Sequence, residues 1–401
     1  ARRLAELAGC AVAEILVVTF RGRIRALAFV RGLGTLNAPA NLEILLARLV
    51  GALSEAGPGC GAGVEPPSRV VVKRGRRPER VLMSGNMADP HVELIASEIA
   101  ALGGSVDLLD ESTLPYALRI QCGEDERGFR RHRLRYRNKL LNPDLYGGAY
   151  FRHIDAASWL LPAALKGMAR EAFTLAWIAL LRSVFEQDVA RFINPFHASV
   201  SNFYKPVQLE VLERVGFAIP RTLVTNEPEA VRQFLERCGN KVVVKSASGI
   251  RSRVRAFGED DRRRLHLLGN SPSLFQEQIQ GLNIRVHCVG SRLFAAAILS
   301  RALDYRYGGD ARMRPVNLPG CIERKCHAVT RELGLRLSGI DLIRSVQGEY
   351  YALEVNPDPG FLFFQRLSGQ RISRAVGEYL MGLDDGALAG VVGVGRPPPA
   401  P

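Results

Sequence analysis

From Arg80 onward, the apolar and polar positions of this chain separate into short strand-like runs and amphipathic stretches. The run Val81-Leu82-Met83 closes on Ser84-Gly85, a helical pattern extends from Asp89-Pro90 to Leu102, and Gly103-Gly104 stops it. A second strand-like run, Val106 to Leu109, follows. An acid before proline starts a helix and glycine ends one, so the segment predicts strand, helix, strand, the opening of a doubly wound α/β unit. Trp159 to Phe192 has apolar residues at helical spacing, and Trp159, Phe173, Trp177 and Phe185 share one stripe, which reads as core. Helices and strands alternate densely from Asn194 to about Gly382. Residues 1–78, rich in Ala, Gly, Arg and Leu with a loop at Gly57 to Pro67, lack this order, and Pro397-Pro398-Pro399-Ala400-Pro401 ends a tail whose composition predicts disorder. The expected division is therefore an unassigned basic extension (1–78), an α/β domain with a long helix (79–193), an α+β domain (194–385) and a disordered Pro-rich tail (386–401).

Among 401 residues, 47% are hydrophobic and 23% charged, which excludes a disordered or collagen-like chain and provides for two or three domains. The 54 Lys and Arg exceed the 40 Asp and Glu, giving a net charge of +14 that attracts anionic partners without choosing among them. Residues 1 to 80 hold 13 basic and 6 acidic residues, so half of the excess sits in a fifth of the chain. Eight basic residues against three acidic ones between Arg119 and Lys139 read first as a solvated face. Seven scattered cysteines without a Cys-x-x-Cys pair suit reduced thiols in the cytoplasm. Cys321, Cys326 and His327 lack a second ligand pair at finger spacing, and read as part of a helix from Glu323 to Leu333 rather than as a zinc site. No run of 18 apolar residues predicts a membrane span, and Glu6 and Glu14 interrupt the one stretch that resembles a signal peptide.

Three elements carry chemistry. In Lys241-Val-Val-Val-Lys245-Ser246-Ala-Ser-Gly249, the valines predict a buried strand that delivers Lys245 into a loop of small residues, where backbone N–H groups can approach phosphate oxygens. It is not a Walker A loop. The second element is Ile340-Asp341, one acid on a strand, and the third is Tyr350-Tyr-Ala-Leu-Glu354-Val-Asn356-Pro357. Strand periodicity puts Glu354 and Asn356 on one face with Leu353 and Val355 on the other, and a turn at Ser345 to Glu349 brings Asp341 alongside. Three oxygen donors on neighbouring strands are what Mg²⁺ needs beside phosphate oxygens.

These elements, in order with Gln276-Glu277-Gln278-Ile279, Asn283-Ile284-Arg285-Val286 and Gly339-Ile340-Asp341, resemble the ATP-grasp fold. The chain resembles ribosomal-protein glutamate ligases and, more closely, the graspetide or microviridin-type ligases that cross-link ribosomal precursor peptides. That closer likeness rests on Asn202-Phe-Tyr-Lys205-Pro206-Val-Gln208-Leu209, Val215-Gly216 through Pro228, Ala149-Tyr-Phe-Arg152 and Asn356-Pro-Asp-Pro-Gly360 with Phe363-Phe364. The likeness covers about residues 80 to 382 and leaves residues 1–78 outside.

The resemblance implies an ATP-grasp domain, two α+β halves clamping ATP, behind a small Rossmann-like domain. It implies a carboxylate activated as an acyl phosphate, which an amine or hydroxyl then attacks. Lys205 and Lys245 match the phosphate-holding lysines, with Ser246 and Gly249 in the phosphate loop. Gln276, Gln278 and Ile279 match the hinge that meets adenine, and Asn283 matches the ribose contact. Arg285 matches the arginine that steadies the acyl phosphate, Arg301 falls with Asp304 and Arg306 among substrate-side residues, and Asp341, Glu354 and Asn356 match the Mg²⁺ ligands. Asn283 stands where the family usually has an acid, and the phosphate loop is poorer in glycine than usual. ATP and Mg²⁺ are the implied cofactors and a precursor peptide or other carboxylate the implied substrate; a homodimer is allowed, and neither membrane nor nucleic acid is expected as a partner. Ligation of free amino acids or glutamate is the alternative with the same chemistry. A nucleic-acid-binding protein with a degenerate nucleotide fold is the alternative from another class, and the intact lysines and ligand set argue against it.

Overall fold

Glu14–Phe20 (β1) and Arg23–Phe29 (β2) pair antiparallel within Ala1–Arg74, the first of two units; the second is Gly75–Pro401. The computed structural model describes residues 14–20, 23–29, 80–124, 130–141, 146–152, 166–188, 191–246, 254–300 and 311–383. The expected loop at Gly57 to Pro67 and the proline-rich tail lie outside them.

Arg80–Gly85 (β3), Pro90–Ala101 (α1) and Ser105–Asp110 (β4) follow the order the pattern predicts, and the two strands are parallel. The Asp89 carboxylate accepts the His91 backbone N–H at 2.8 Å and so satisfies a donor that the first helical turn leaves open. Val92, Ile95 and Ile99 form the buried stripe of α1. Leu118–Glu124 (β5), Arg130–Tyr136 (β6) and Lys139–Leu141 (β7) make a separate antiparallel sheet. Leu118, Leu134 and Tyr136 are buried while Arg119, Arg133 and Arg135 are exposed, so the described part of the basic run faces solvent.

Gly148–Phe151 (β8) and Phe192–Ile193 (β9) complete a parallel sheet in the order β4-β3-β8-β9. Between them in sequence runs Gly167–Asp188 (α2). The expected aromatic core stripe is only half inside. Phe173 and Trp177 are half-buried, their ring centroids 6.4 Å apart, because only the side of α2 around Trp177, Ile178 and Leu181 meets the core. Trp159 and the Phe185 side chain lie outside the described residues.

The next segment begins with Lys205–Arg214 (α3), Thr222–Thr225 (β10) and Pro228–Arg237 (α4). With Val242–Ser246 (β11), Arg255–Ala256 (β12) and Ser273–Glu277 (β13), β10 builds a small antiparallel sheet in the order β10-β13-β11-β12. α4 lays Val231, Phe234 and Leu235 against Val242 and Phe275, each such side chain contributing about 1.5–3 kcal/mol by leaving water.

Gly281–Val289 (β14), Arg292–Leu299 (β15), Arg312–Pro315 (β16), Leu337–Ser345 (β17) and Tyr350–Asn356 (β18) form a larger antiparallel sheet, ordered β16-β15-β14-β17-β18. One face buries Ile284, Val286, Ile340, Leu342 and Val355 beneath Leu209 and Leu212 of α3 and Ile322, Cys326 and Val329 of Gly320–Glu332 (α5). Cys326 is thus a small core residue. Finally, Leu362–Ser368 (α6) and Ile372–Leu380 (α7) return to the parallel sheet, where Ile372, Val376 and Tyr379 pack in one core with Ile95 and Ile99 of α1.

Candidate functional site

Period-two alternation aims the chemistry of both antiparallel sheets. In β11, Val242 and Val244 join the core under α4, which turns Val243 and Lys245 to the opposite face. Cross-strand pairing of Thr222, Gln276 and Val243 puts Gln276 on that same face, where its amide donates to the Thr222 hydroxyl at 2.9 Å. In the large sheet, the face away from α3 and α5 carries Asn283 and Arg285 on β14, Asp341 on β17, and Glu354 and Asn356 on β18. Arg285 pairs with Asp341, Asp341 with Glu354, and Gly339 with Asn356.

The strict alternation expected for β18 fails at Leu353. Asp341 opposes Glu354 but Leu342 opposes Ala352, so Leu353 is the extra residue of a bulge, and Ala352 rather than Leu353 shares the apolar face with Val355. Such bulges re-aim side chains next to functional sites. Here it immediately precedes Glu354.

Lys245 of the small sheet and Lys205 at the start of α3 converge on Glu354, their Nζ atoms 4.0 and 3.2 Å from Oε2. The Arg285 guanidinium donates to Asp341 Oδ1 at 2.8 Å and lies over the Phe364 ring at 5.3 Å. Gly339 makes room for it: a Cβ there would lie 2.6 Å from Arg285 Cζ and 2.7 Å from Pro359 Cβ. Burial alone would push the Glu354 carboxyl up, but the charges of Lys245 and Lys205, the hydrogen bond from Lys205 and the charge of Arg285 together bring its pKa down to about 2. Three cations therefore face two carboxylates, an arrangement with positive charge to spare for a polyanion. Among the described residues no three His, Cys, Asp or Glu side chains cluster as a metal site. Two carboxylates and an amide on one face are all oxygen donors, and they fit Mg²⁺, which takes few protein ligands and keeps places for phosphate and water.

The structure thus brings Lys205, Lys245, Arg285, Asp341, Glu354 and Asn356 together along one face. Gln278 and Ile279 are half-buried in the connection from β13 to β14, where the Gln278 backbone N–H donates to Lys241 O at 2.9 Å. Ser246 ends β11, while Gly249, Arg301, Asp304 and Arg306 lie outside the described residues. Sequence reasoning placed Arg285 and Asp341 in separate roles and missed that they hold each other. It gave no role to Arg152, Asn194, Gln208 or Phe364, although three of these stand in segments that carry the family resemblance.

In this chain a large antiparallel sheet bears the acids and a smaller one bears a lysine, and solved structures superpose on the arrangement. The macrocyclase MdnC of Microcystis aeruginosa, bound with its precursor peptide MdnA, is 25% identical and superposes with a TM-score of 0.66 over 75% of this chain and 99% of MdnC. The chain has the ATP-grasp fold. A Chryseobacterium gregarium ligase of the same fold, solved with ADP and a leader and core peptide, gives a TM-score of 0.65 at 22% identity over 76% of this chain and 96% of that one. Among curated proteins, β-citrylglutamate synthase B of Danio rerio is 27% identical over 223 residues, 51% of this chain. The match spans 54% of that relative, about half its length. A probable α-L-glutamate ligase of Legionella pneumophila is 22% identical over 258 residues, 60% of this chain and 80% of its own. No family model matches.

Proposed function

We propose that the chain is an ATP-dependent ligase that joins a carboxylate to an amine or hydroxyl on a ribosomally made peptide. The observation that carries this reading is the convergence of Lys205, Lys245 and Arg285 on a face that holds Asp341, Glu354 and Asn356. Phosphoryl transfer needs little covalent chemistry from a protein and much charge neutralisation and positioning, which this set supplies. In the first step a substrate carboxylate oxygen attacks the γ-phosphorus of ATP and ADP leaves. In the second, an amine or hydroxyl attacks the acyl carbon, loses its proton and expels phosphate. Lys205 and Lys245 hold the phosphates, and Arg285 stabilises charge on the acyl phosphate and on the tetrahedral species that follows. Asp341, Glu354 and Asn356 would hold Mg²⁺, which would supply neutralisation of phosphate charge. Gln276, Gln278 and Ile279 flank the adenine and Asn283 the ribose.

Two lines support a peptide substrate. Solved structures with this fold include MdnC with its precursor peptide and the Chryseobacterium gregarium ligase with leader and core peptides. The net charge of +14 also favours an acidic partner. The name of the Legionella pneumophila relative, probable α-L-glutamate ligase, favours a second reading, addition of glutamate to an acceptor. Four described cysteines are free thiols, and no described helix is long and apolar enough to cross a membrane, which supports action in the cytoplasm.

Co-expression with the short acidic peptide encoded nearest to the gene, followed by mass spectrometry, tests the proposal. Loss of one water per bond, dependent on Glu354, supports cross-linking; a gain of one glutamate residue supports the second reading. An unmodified peptide together with no peptide-stimulated ADP formation overturns the first.

A further inference from the structure

Among the described residues, the strand that carries Glu354 and Asn356 lies at the edge of its sheet, with β17 on one side and no strand on the other. An edge end of this kind frays unless its backbone groups find partners. Near the start of β18 the partner is Ala218, whose carbonyl accepts the Ala352 N–H at 2.9 Å. At Val355, between the two ligands, it is a side chain. The Gln208 amide of α3, 2% exposed, takes the place of a missing strand: Val355 N–H donates to its Oε1 at 2.8 Å, and its Nε2 donates to Val355 O at 2.6 Å.

The turn after Asn356 is tied from the parallel sheet. Arg152, directly after β8, donates through Nε to Asp89 at 2.9 Å and through Nη1 to Asp358. The Asp358 N–H in turn donates to Asn356 Oδ1 at 2.9 Å, so the tie reaches the ligand amide itself. Asn194 braces the same turn from behind, donating to Pro357 O at 2.5 Å and to Leu337 O at 2.7 Å. Asp89 is also the cap of α1 and holds His91 Nδ1 at 2.9 Å, so Arg152 is itself fixed by a rigid element.

We propose that Gln208 and Arg152 are positioning residues of the ligand strand: Gln208 sets the backbone between Glu354 and Asn356, and Arg152 sets the turn that orients Asn356. The assignment rests on the ligase reading, which makes Glu354 and Asn356 ligands of Mg²⁺. The side-chain hydrogen bonds of Gln208 go to Val355 and the ion pairs of Arg152 to Asp89 and Asp358, so the expected effect is on how well the oxygen set is preorganised. Residues that orient ligands in this way are worth about tenfold or more in metal affinity when removed.

The test uses the full chain with Gln208→Met and Arg152→Met, Glu354→Gln as reference, and ADP binding by calorimetry in EDTA and across a Mg²⁺ series. Circular dichroism at the assay temperature confirms folding. In EDTA, ADP affinity changes less than about twofold in the positioning variants, while the Mg²⁺ concentration that half-saturates the gain in ADP affinity rises about tenfold. Excess Mg²⁺ restores ATP turnover to the positioning variants but not to Glu354→Gln. A merely structural loss would lower ADP affinity equally with and without Mg²⁺, and that result overturns the proposal. So does an unchanged Mg²⁺ half-saturation in both variants beside a clear shift in Glu354→Gln. A wild-type chain whose ADP affinity ignores Mg²⁺ fails the ligase reading and takes the proposal with it. Should Gln208→Met not fold, Gln208→Glu, which keeps the acceptor for Val355 N–H and loses the donor to Val355 O, and Asp358→Asn carry the same readouts.

Discussion

Gly339→Ala adds a single methyl at the centre of the site, and its consequences can be worked out from the packing. The new Cβ would lie 2.6 Å from Arg285 Cζ and 2.7 Å from Pro359 Cβ, both well inside van der Waals contact. Pro359 is a ring in a tied turn, so the guanidinium is the group that moves. Arg285 is only 5% exposed, with Phe364 beneath it and Asp341 holding it at 2.8 Å, so moving it breaks that charge-assisted hydrogen bond. Overpacking costs about 1–3 kcal/mol and the broken bond about 1.5–3 kcal/mol, so a loss of about 2.5–6 kcal/mol and a fall in Tm of several degrees are expected. The chemical consequence is larger. In the proposed mechanism Arg285 meets the charge that develops at the acyl phosphate, and losing one such donor lowers turnover about 10²- to 10³-fold. Peptide-dependent phosphate release measures turnover, thermal unfolding measures stability, and ADP binding serves as the control, expected within a few-fold because Lys205 and Lys245 are untouched. Turnover within about threefold of wild type in a folded Gly339→Ala chain would refute the reasoning, since it would mean that Arg285 acts elsewhere or not at all.

Glu354→Gln removes the charge on which two lysines converge and is expected to lower ATP turnover at least about a hundredfold, read as ADP formation against Mg²⁺ concentration. The pKa of Glu354 is depressed from 4.5 to about 2, so its contribution is fully present above pH 4.5 and is lost as pH falls toward 2. Wild-type stability in chemical denaturation should therefore fall more steeply than that of Glu354→Gln across this window, by a difference on the order of 1–3 kcal/mol. Lys245→Met weakens ADP binding in EDTA as well as in Mg²⁺, the reverse of the pattern expected for the positioning residues, and calorimetry separates the two. Asn194→Ala leaves the N–H groups of Arg336 and Leu337 and the carbonyls of Leu337 and Pro357 without their partner, and should cost about 3 kcal/mol or more in chemical denaturation.

Local pattern determined the elements of this protein and much of its chemistry. Three valines before Lys245 make a buried strand wherever they fall in a fold, an Asp-Pro start and a double-glycine stop bound a helix, and period two puts Glu354 and Asn356 on one side of theirs. Oxygen chemistry at those spacings was enough to suggest a candidate ligand set, because ligand type and alternation are properties of a few adjacent residues, while Lys205 and Arg285 entered through the family resemblance. The tertiary structure alone decided what those groups touch. Gln208 reads as an ordinary polar position on a helix until β18 turns out to be an edge strand with an open backbone. Arg152 meets Asp358 across 206 residues, and α7 shares a core with α1 from the other end of the chain. Leu353 leaves the alternation because the bulge is fixed by pairing with β17, which β18 does not encode. Such contacts depend on how the summed burial of several elements brings distant segments together, a quantity no window of sequence contains. The sequence by itself thus determined which residues could hold a metal and a phosphate. The tertiary structure decided what they touch: a glycine on β17 leaves room for Arg285, an amide of α3 bonds the backbone beside Glu354, and an arginine after β8 meets Asp358.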